Sequence, residues 1–224
     1  MIKIENTEVM GWEAVVRGMR NPMNSWEKSD TIFVKDGEYH DICGNSRPYN
    51  GTVTDTETFF EMGENDLDLM TRLCNAGTDH RKFMRMITVY LDITAPLYWW
   101  KEFDTYKVGT VANSCSTMHK IAAKEFTLED FSTEHLDDVS LDTFEYIIAQ
   151  LEYDRRLYIK TKDKKYWWQM IQLLPSSYNQ RRTVMLNYEV LANIHKSRKN
   201  HKLDEWHTFC NWIESLPYSK LITG

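Results

Sequence analysis

Nowhere in the 224 residues do apolar side chains approach a run of 18, the length a membrane-spanning helix requires. The N-terminus, MIKIENTEV, also has no apolar run of the kind a secretory leader carries. Cysteine is scarce and scattered. Cys43, Cys74, Cys115 and Cys210 show no CxxC spacing, so neither a zinc site nor a disulfide framework is indicated, and a reduced, cytoplasmic chain is the expectation. Positive charge is not in excess either. The 27 Lys and Arg against 33 Asp and Glu leave a net charge of −6, which gives no general electrostatic reason to bind a nucleic-acid polymer. A small anionic ligand needs only a local cluster and stays open. Repeats, low-complexity tracts and long flexible linkers are also missing.

What the chain does contain is a composition suited to one sizeable core: 42% hydrophobic and 27% charged residues. A single domain over residues 1–224 is therefore expected. Aromatic content is high, at 13% with 8 Trp and 12 Tyr. Such residues usually thicken a core or an oligomer interface and less often form a platform for a planar ligand.

Periodicity and punctuation place the elements. Residues 2–5 read as a short strand and Trp12 to Met19 as a helix, ended by Asn21-Pro22. From Ser29 to Thr58 the chain is broken up by Gly, Asn and Pro around short β-like pieces such as Thr31-Ile32-Phe33-Val34, and its thin apolar content suggests an excursion from the core. Leu67, Met70 and Leu73 predict a helix from Asp66 to Asn75, with Gly77 just past its end. Met86 to Ile93 reads as a strand, and after Ala95-Pro96 the run Leu97 to Phe103 suits a short helix. Thr105 to Met118 is polar, small and aperiodic, a loop of the kind that carries sites. Helices are predicted over 142–158, 164–174, 187–197 and 203–216, with a short strand or turn after Pro175. The expected class is α+β, a mixed domain with a small antiparallel sheet and mostly helical mass.

The densest pattern lies at 174–205: Leu174-Pro175, Asn187, Glu189, Asn193, Arg198, His201 and Glu205. On a helix, Arg198 returns to within about 20° of the face of Asn187, about 16 Å further along the axis, while Asn193 lies about 120° away. All three meet one ligand only if it wraps or if another subunit contributes. Spacing alone equally fits two capping or surface amides and a solvated arginine.

This segment resembles the C-terminal motif of the flavin-dependent thymidylate synthase family, where Leu-Pro is followed by an Asn, a second Asn on the next helix and an Arg. Leu174-Pro175, Asn187, Asn193 and Arg198 fall at the family's intervals, and Glu189 stands where an arginine is usual. The order of features upstream is similar too: helix, Gly77, strand, Ala95-Pro96, an aromatic helix and a loop. The family's Arg-His-Arg-x-x-Ser signature aligns with Thr105-Tyr106-Lys107-Val108-Gly109-Thr110, so only Lys107 and Thr110 are chemically related. With one inserted residue, Asn113 and Ser116 match the second half of that signature, while Ser114 and Met118 replace its glutamate and arginine. Glu102 falls where the family carries a nucleotide-contacting glutamine.

The resemblance implies C5 methylation of deoxyuridylate (dUMP to dTMP), with carbon from methylenetetrahydrofolate and hydride from reduced FAD, NADPH being the reductant. It implies a homotetramer with sites between subunits. Asn187 and Asn193 would hold the flavin, with Lys107 and Thr110 as further cofactor contacts. Arg198 would orient the nucleotide and serve catalysis, helped by Ser114, Ser116 and Glu102. Losing the signature arginines removes planar forks that lysine or threonine cannot reproduce, so phosphate binding is expected to weaken or to shift to Lys107, Lys120 and the loop hydroxyls. The other reading is a divergent member that keeps the fold and binds another nucleotide, or none.

Four other features suggest chemistry. Cys115 with His119 reads as a buried thiol rather than a nucleophile, because nothing orients the histidine. His195, His201, His207 and Cys210 fit no metal spacing, and no metal is expected. Trp99-Trp100 and Trp167-Trp168 read as core or interface, and the run from Lys160 to Lys165 as a solvated connection between helices.

Overall fold

The computed structural model describes residues 2–49 and 59–224. In chain order the elements are β1 (Lys3–Met10), α1 (Trp12–Arg20), β2 (Ile32–Lys35), β3 (Glu38–His40), β4 (Ser46–Pro48), β5 (Phe59–Glu61), α2 (Glu64–Asn75), β6 (Thr88–Pro96), α3 (Leu97–Phe103) and β7 (Val111–Ser114). There follow α4 (Thr117–Lys120), α5 (Asp138–Thr161), α6 (Lys164–Leu173), β8 (Asn179–Asn187), α7 (Tyr188–Arg198), α8 (Asp204–Glu214) and α9 (Lys220–Thr223). The strands form two four-stranded sheets, ordered β1-β6-β8-β7 and β4-β3-β2-β5. This is the α+β class expected. The residues divide into two compact units: one of 1–7, 90–185 and 201–209, the other of 8–89, 186–200 and 210–224.

In the first unit two helices begin where the sequence supplies a cap: the Asp137 carboxylate accepts the Ser140 N–H at 2.8 Å to start α5, and Asp163 accepts from Lys165 N–H at 3.0 Å to start α6, whereas α3 follows Pro96 without a side-chain cap. Helix α5 stops at Lys162, which is in the left-handed region at φ 57°. One core is aromatic. Trp99, Trp100 and Phe103 of α3 are at most 1% exposed, and the Trp99 ring lies 4.8 Å from that of Trp206 and 5.6 Å from that of Phe209. The Trp99-Trp100 pair is core, as expected. A second cluster, Ile121, Phe126, Phe131, Leu151 and Met170, is closed by Trp167 packing against it, whereas Trp168 is 44% exposed. The 105–118 stretch, expected as continuous loop, contains strand β7, paired antiparallel with β8 from Val111↔Met185 to Ser114↔Arg182. All four β7 residues are exposed, so no apolar alternation marked the strand.

In the second unit α1 buries Val15, Val16 and Met19 along one face. Gly11 precedes it at φ 100°, and a Cβ there would sit 2.5 Å from the Met86 carbonyl oxygen, so glycine is required. Strands β2 and β3 are joined by Asp36-Gly37, both at positive φ (53° and 75°), the turn that matches hairpin twist. Within the described part of the expected 29–58 excursion, Thr31, Phe33 and Val34 are buried; residues 50–58 lie outside the described residues. The hub holding this stretch is Asp66, fully buried at the start of α2. It accepts from Arg20 Nε at 2.6 Å, Ser29 Oγ at 2.6 Å, Thr31 Oγ1 at 2.7 Å and the Thr31 and Asp30 N–H groups at 3.0 and 3.2 Å.

Candidate functional site

The predicted site residues fall into both units. In the second, β8 ends at Asn187, and its side-chain oxygen accepts the Val190 N–H at 3.0 Å, capping α7. Asn193 is exposed on that helix, and Arg198, its last residue, is half-buried. Glu189 is buried in the first turn. It takes a two-point contact from Arg81, with Nη2 donating to Oε1 at 3.0 Å and Nε 2.9 Å from Oε2. A carboxylate with its own cation therefore occupies the position where the resemblance led us to look for an arginine.

In the first unit, Ser116 lines a cavity of about 460 Å³ together with Cys115, Thr117, Lys120, Gln180 and Arg181. Gln180 braces it: its Nε2 donates to the Cys115 carbonyl at 2.9 Å and to Thr117 Oγ1 at 3.0 Å. Ser116 Oγ accepts the His119 N–H at 3.2 Å, which leaves the hydroxyl proton to donate. Two of the cations here are already balanced. Lys124 is hydrogen-bonded to Asp130, which is the main reason its ammonium is held above the usual lysine range. Arg181 Nη2 lies 2.7 Å from Asp92 Oδ2. No carboxylate pairs with Lys120 among the described residues, and it stands as the cation open to an anion. The sequence singled out Ser116 and Lys120. It did not point to Thr117, Gln180 or Arg181; the only trace was the polar run Asn179-Gln180-Arg181-Arg182 opening β8.

Lys107 and Thr110 line a second, smaller cavity of about 280 Å³ with Phe103, Asp104 and Tyr106. Lys107 is exposed. Thr110 Oγ1 is buried and has no hydrogen-bond partner among the described residues, an unmet polar atom of the kind that marks a missing ligand or water. Ser114 is exposed on β7 opposite Arg182. Glu102, half-buried, accepts Trp206 Nε1 at 3.2 Å and lies 3.2 Å from His201 Nε2. Near it, burial chiefly, and then the Glu205 carboxylate, push the Tyr98 hydroxyl above its ordinary range.

No protein-family model matches the sequence, and no curated protein matches it. Solved structures do. Two crystal structures of flavin-dependent thymidylate synthase from Helicobacter pylori, each with FAD and dUMP, align with TM-scores of 0.66 and 0.67 over 99% and 100% of this chain and 98% of theirs, at 15% identity. The chain has the flavin-dependent thymidylate synthase fold. Among the polar groups lining these two cavities are the Ser116 hydroxyl, the Lys120 and Lys107 ammonium groups and Thr110 Oγ1.

The remaining candidates resolve locally. Cys115, expected as a buried thiol, is exposed: it follows β7, all of whose residues are exposed, and its N–H donates to the Arg181 carbonyl at 3.0 Å. Each C-terminal histidine stands beside a carboxylate: His195 by Glu214 at 2.8 Å, His201 by Glu102 at 3.2 Å and His207 at 3.6 Å from Asp204, which also lies 3.2 Å from His135. No cluster of metal-ligating side chains occurs among the described residues, and among them no helix is long and apolar enough to cross a membrane.

Proposed function

We propose that this chain is a flavin-dependent thymidylate synthase-like enzyme that binds FAD and a uridine nucleotide and methylates C5 of the pyrimidine. The observation that carries the reading is the end-to-end agreement of its fold with enzymes crystallised with FAD and dUMP. The donors present suit such ligands. Thr110 Oγ1 has no partner among the described residues and lines one cavity with Lys107, which fits an acceptor-rich flavin, while on the α7 side Asn193 is exposed and the Asn187 cap leaves its amino end. A flavin bound here would supply hydride to the transferred carbon, which methylenetetrahydrofolate would provide, and NADPH would renew the reduced flavin. This chain's residues bind and orient: Arg198 orients the nucleotide through its phosphate, and in the first unit the Ser116 hydroxyl proton and the Lys120 charge are donors for an anionic ligand. A homotetramer in the cytoplasm, each subunit one domain of 1–224, belongs to the same proposal.

The test is direct. Purified protein titrated with FAD should quench flavin fluorescence saturably, and Arg198→Ala should weaken dUMP binding by tenfold or more with unchanged circular dichroism. A protein that neither copurifies with flavin nor takes it up refutes the enzyme reading. A second reading, a family-like protein binding a different nucleotide, is favoured by one observation: the Glu189 carboxylate, locked to Arg81, replaces an expected cation. It predicts nucleotide binding without dTMP formation.

A further inference from the structure

A third cavity, of about 520 Å³, lies in the first unit where α4, the end of α5 and the start of α6 meet, and it shares no lining residue with the two described above. Its volume is that of a small-molecule site. Its chemistry is one-sided. His119, Lys162 and Lys164 line it, no Asp or Glu does, and among the described residues none of the three is paired with a carboxylate. The nearest acid in sequence, Asp163, is engaged in capping α6 and in an ion pair with Lys165 at 3.6 Å.

The walls are aromatic, Tyr158 and Trp167, above a floor that includes Ile121 of the core cluster. Trp167 is held in place by its indole N–H, which donates to the Met118 carbonyl at 3.1 Å. Each lysine hangs over a ring: Lys162 Nζ is 5.9 Å from the Tyr158 centroid and Lys164 Nζ 5.8 Å from that of Trp168. The left-handed conformation of Lys162 ends α5 and lets the chain turn directly into α6, so that Lys162 and Lys164, two residues apart, both line one pocket. Fixed rings with unopposed cations are what a planar base bearing adjacent phosphates requires.

We propose that this cavity binds a nucleoside diphosphate, the base against Trp167 and Tyr158 and the phosphates on Lys162 and Lys164. The proposal goes beyond the flavin reading and does not depend on it. Calorimetric titration of the full chain with ADP tests it, with adenosine and inorganic pyrophosphate as partial probes. The expected result is saturable one-to-one ADP binding with a Kd of about 10–100 μM, and each partial probe at least tenfold weaker. The exposed substitutions Lys162→Gln and Lys164→Gln together should weaken ADP by roughly a hundredfold, about tenfold per lysine, with unchanged circular dichroism. The proposal is overturned if ADP does not saturate below about 1 mM, if the double variant binds equally well, or if pyrophosphate alone binds as tightly. Displacement of ADP by dUMP, or tighter binding of a single-stranded oligonucleotide, overturns it as well.

Discussion

Removing the charge from Asp66 should unfold this protein far more readily than removing the charge from Arg20, although the two form one ion pair. Both side chains are buried, 0% and 4% exposed, with 2.6 Å between Nε and Oδ1. Their surroundings differ. Without Arg20, the carboxylate keeps four donors: Ser29 Oγ, Thr31 Oγ1 and the N–H groups of Asp30 and Thr31. Without the carboxylate, the guanidinium keeps, among the described residues, only the Ser25 carbonyl, 3.1 Å from Nη1. Asp66→Asn therefore leaves a buried cation with no anion, expected to cost about 3–5 kcal/mol, whereas Arg20→Met loses its hydrogen bonds to the carboxylate and to the Ser25 carbonyl, about 1.5–3 kcal/mol for the one between charges, and leaves a carboxylate that keeps its other donors. At a urea slope of about 2–3 kcal/mol/M, the asparagine variant should lower the midpoint by about 1–2 M.

The pH dependence has a definite sign. Burial pushes the Asp66 carboxyl up, but the hydrogen bonds from Ser29, Thr31 and Arg20 outweigh it and hold the group below its ordinary range. Its folded value is depressed, so its contribution is complete above the ordinary carboxylate range and fades as pH falls through the folded value. Urea melts of wild type and both variants, repeated at neutral pH and near pH 3.5, measure this. Equal costs for the two substitutions, or an Asp66→Asn gap that does not shrink in acid, would refute the argument.

Three further outcomes are expected. Native thiol titration with an aromatic disulfide near pH 8 should find Cys43 and Cys115 fast, both being exposed, and Cys74 and Cys210 slow, because burial pushes each thiol up to about 11; four equal rates would contradict the packing. Trp99→Ala should cost about 3–5 kcal/mol. Trp99→Phe should cost under about 2 kcal/mol, since the buried indole nitrogen has no partner to lose among the described residues, and similar costs in denaturant melts would show that a hydrogen bond exists there.

The elements legible in the sequence were those whose burial is written in apolar spacing. Helix α2 was predicted within two residues because Met70 is buried and Leu67 and Leu73 half-buried on one face. Strand β6 was recognised from its β-branched run, and α3 matched from Leu97 to Phe103. The polar strands were missed or read short, and the short strand β5 (Phe59–Glu61) was not predicted either. β7 exposes every residue, and β8 opens with Asn179-Gln180-Arg181-Arg182, buries Val184 and Leu186 only near its end, and so read as a short strand or turn. Their pairing is decided by backbone register over a distance that no local window spans. The cavities escaped for a similar reason. Gln180 reaches Cys115 and Thr117 across 65 and 63 residues, and Glu189 finds its arginine 108 residues away. Only a family pattern, not periodicity, drew attention to Asn187, Asn193 and Arg198.

Asn187 ties the start of a helix to the chemistry proposed for it. The two ends of its carboxamide face different duties: the oxygen is committed to the Val190 N–H, so that only the amino end is left to meet a ligand. Replacement by aspartate would keep the cap and turn the outward group from a donor into an acceptor, whereas alanine would remove both at once. Folding and recognition can thus be separated at this residue by exchanging one nitrogen for one oxygen.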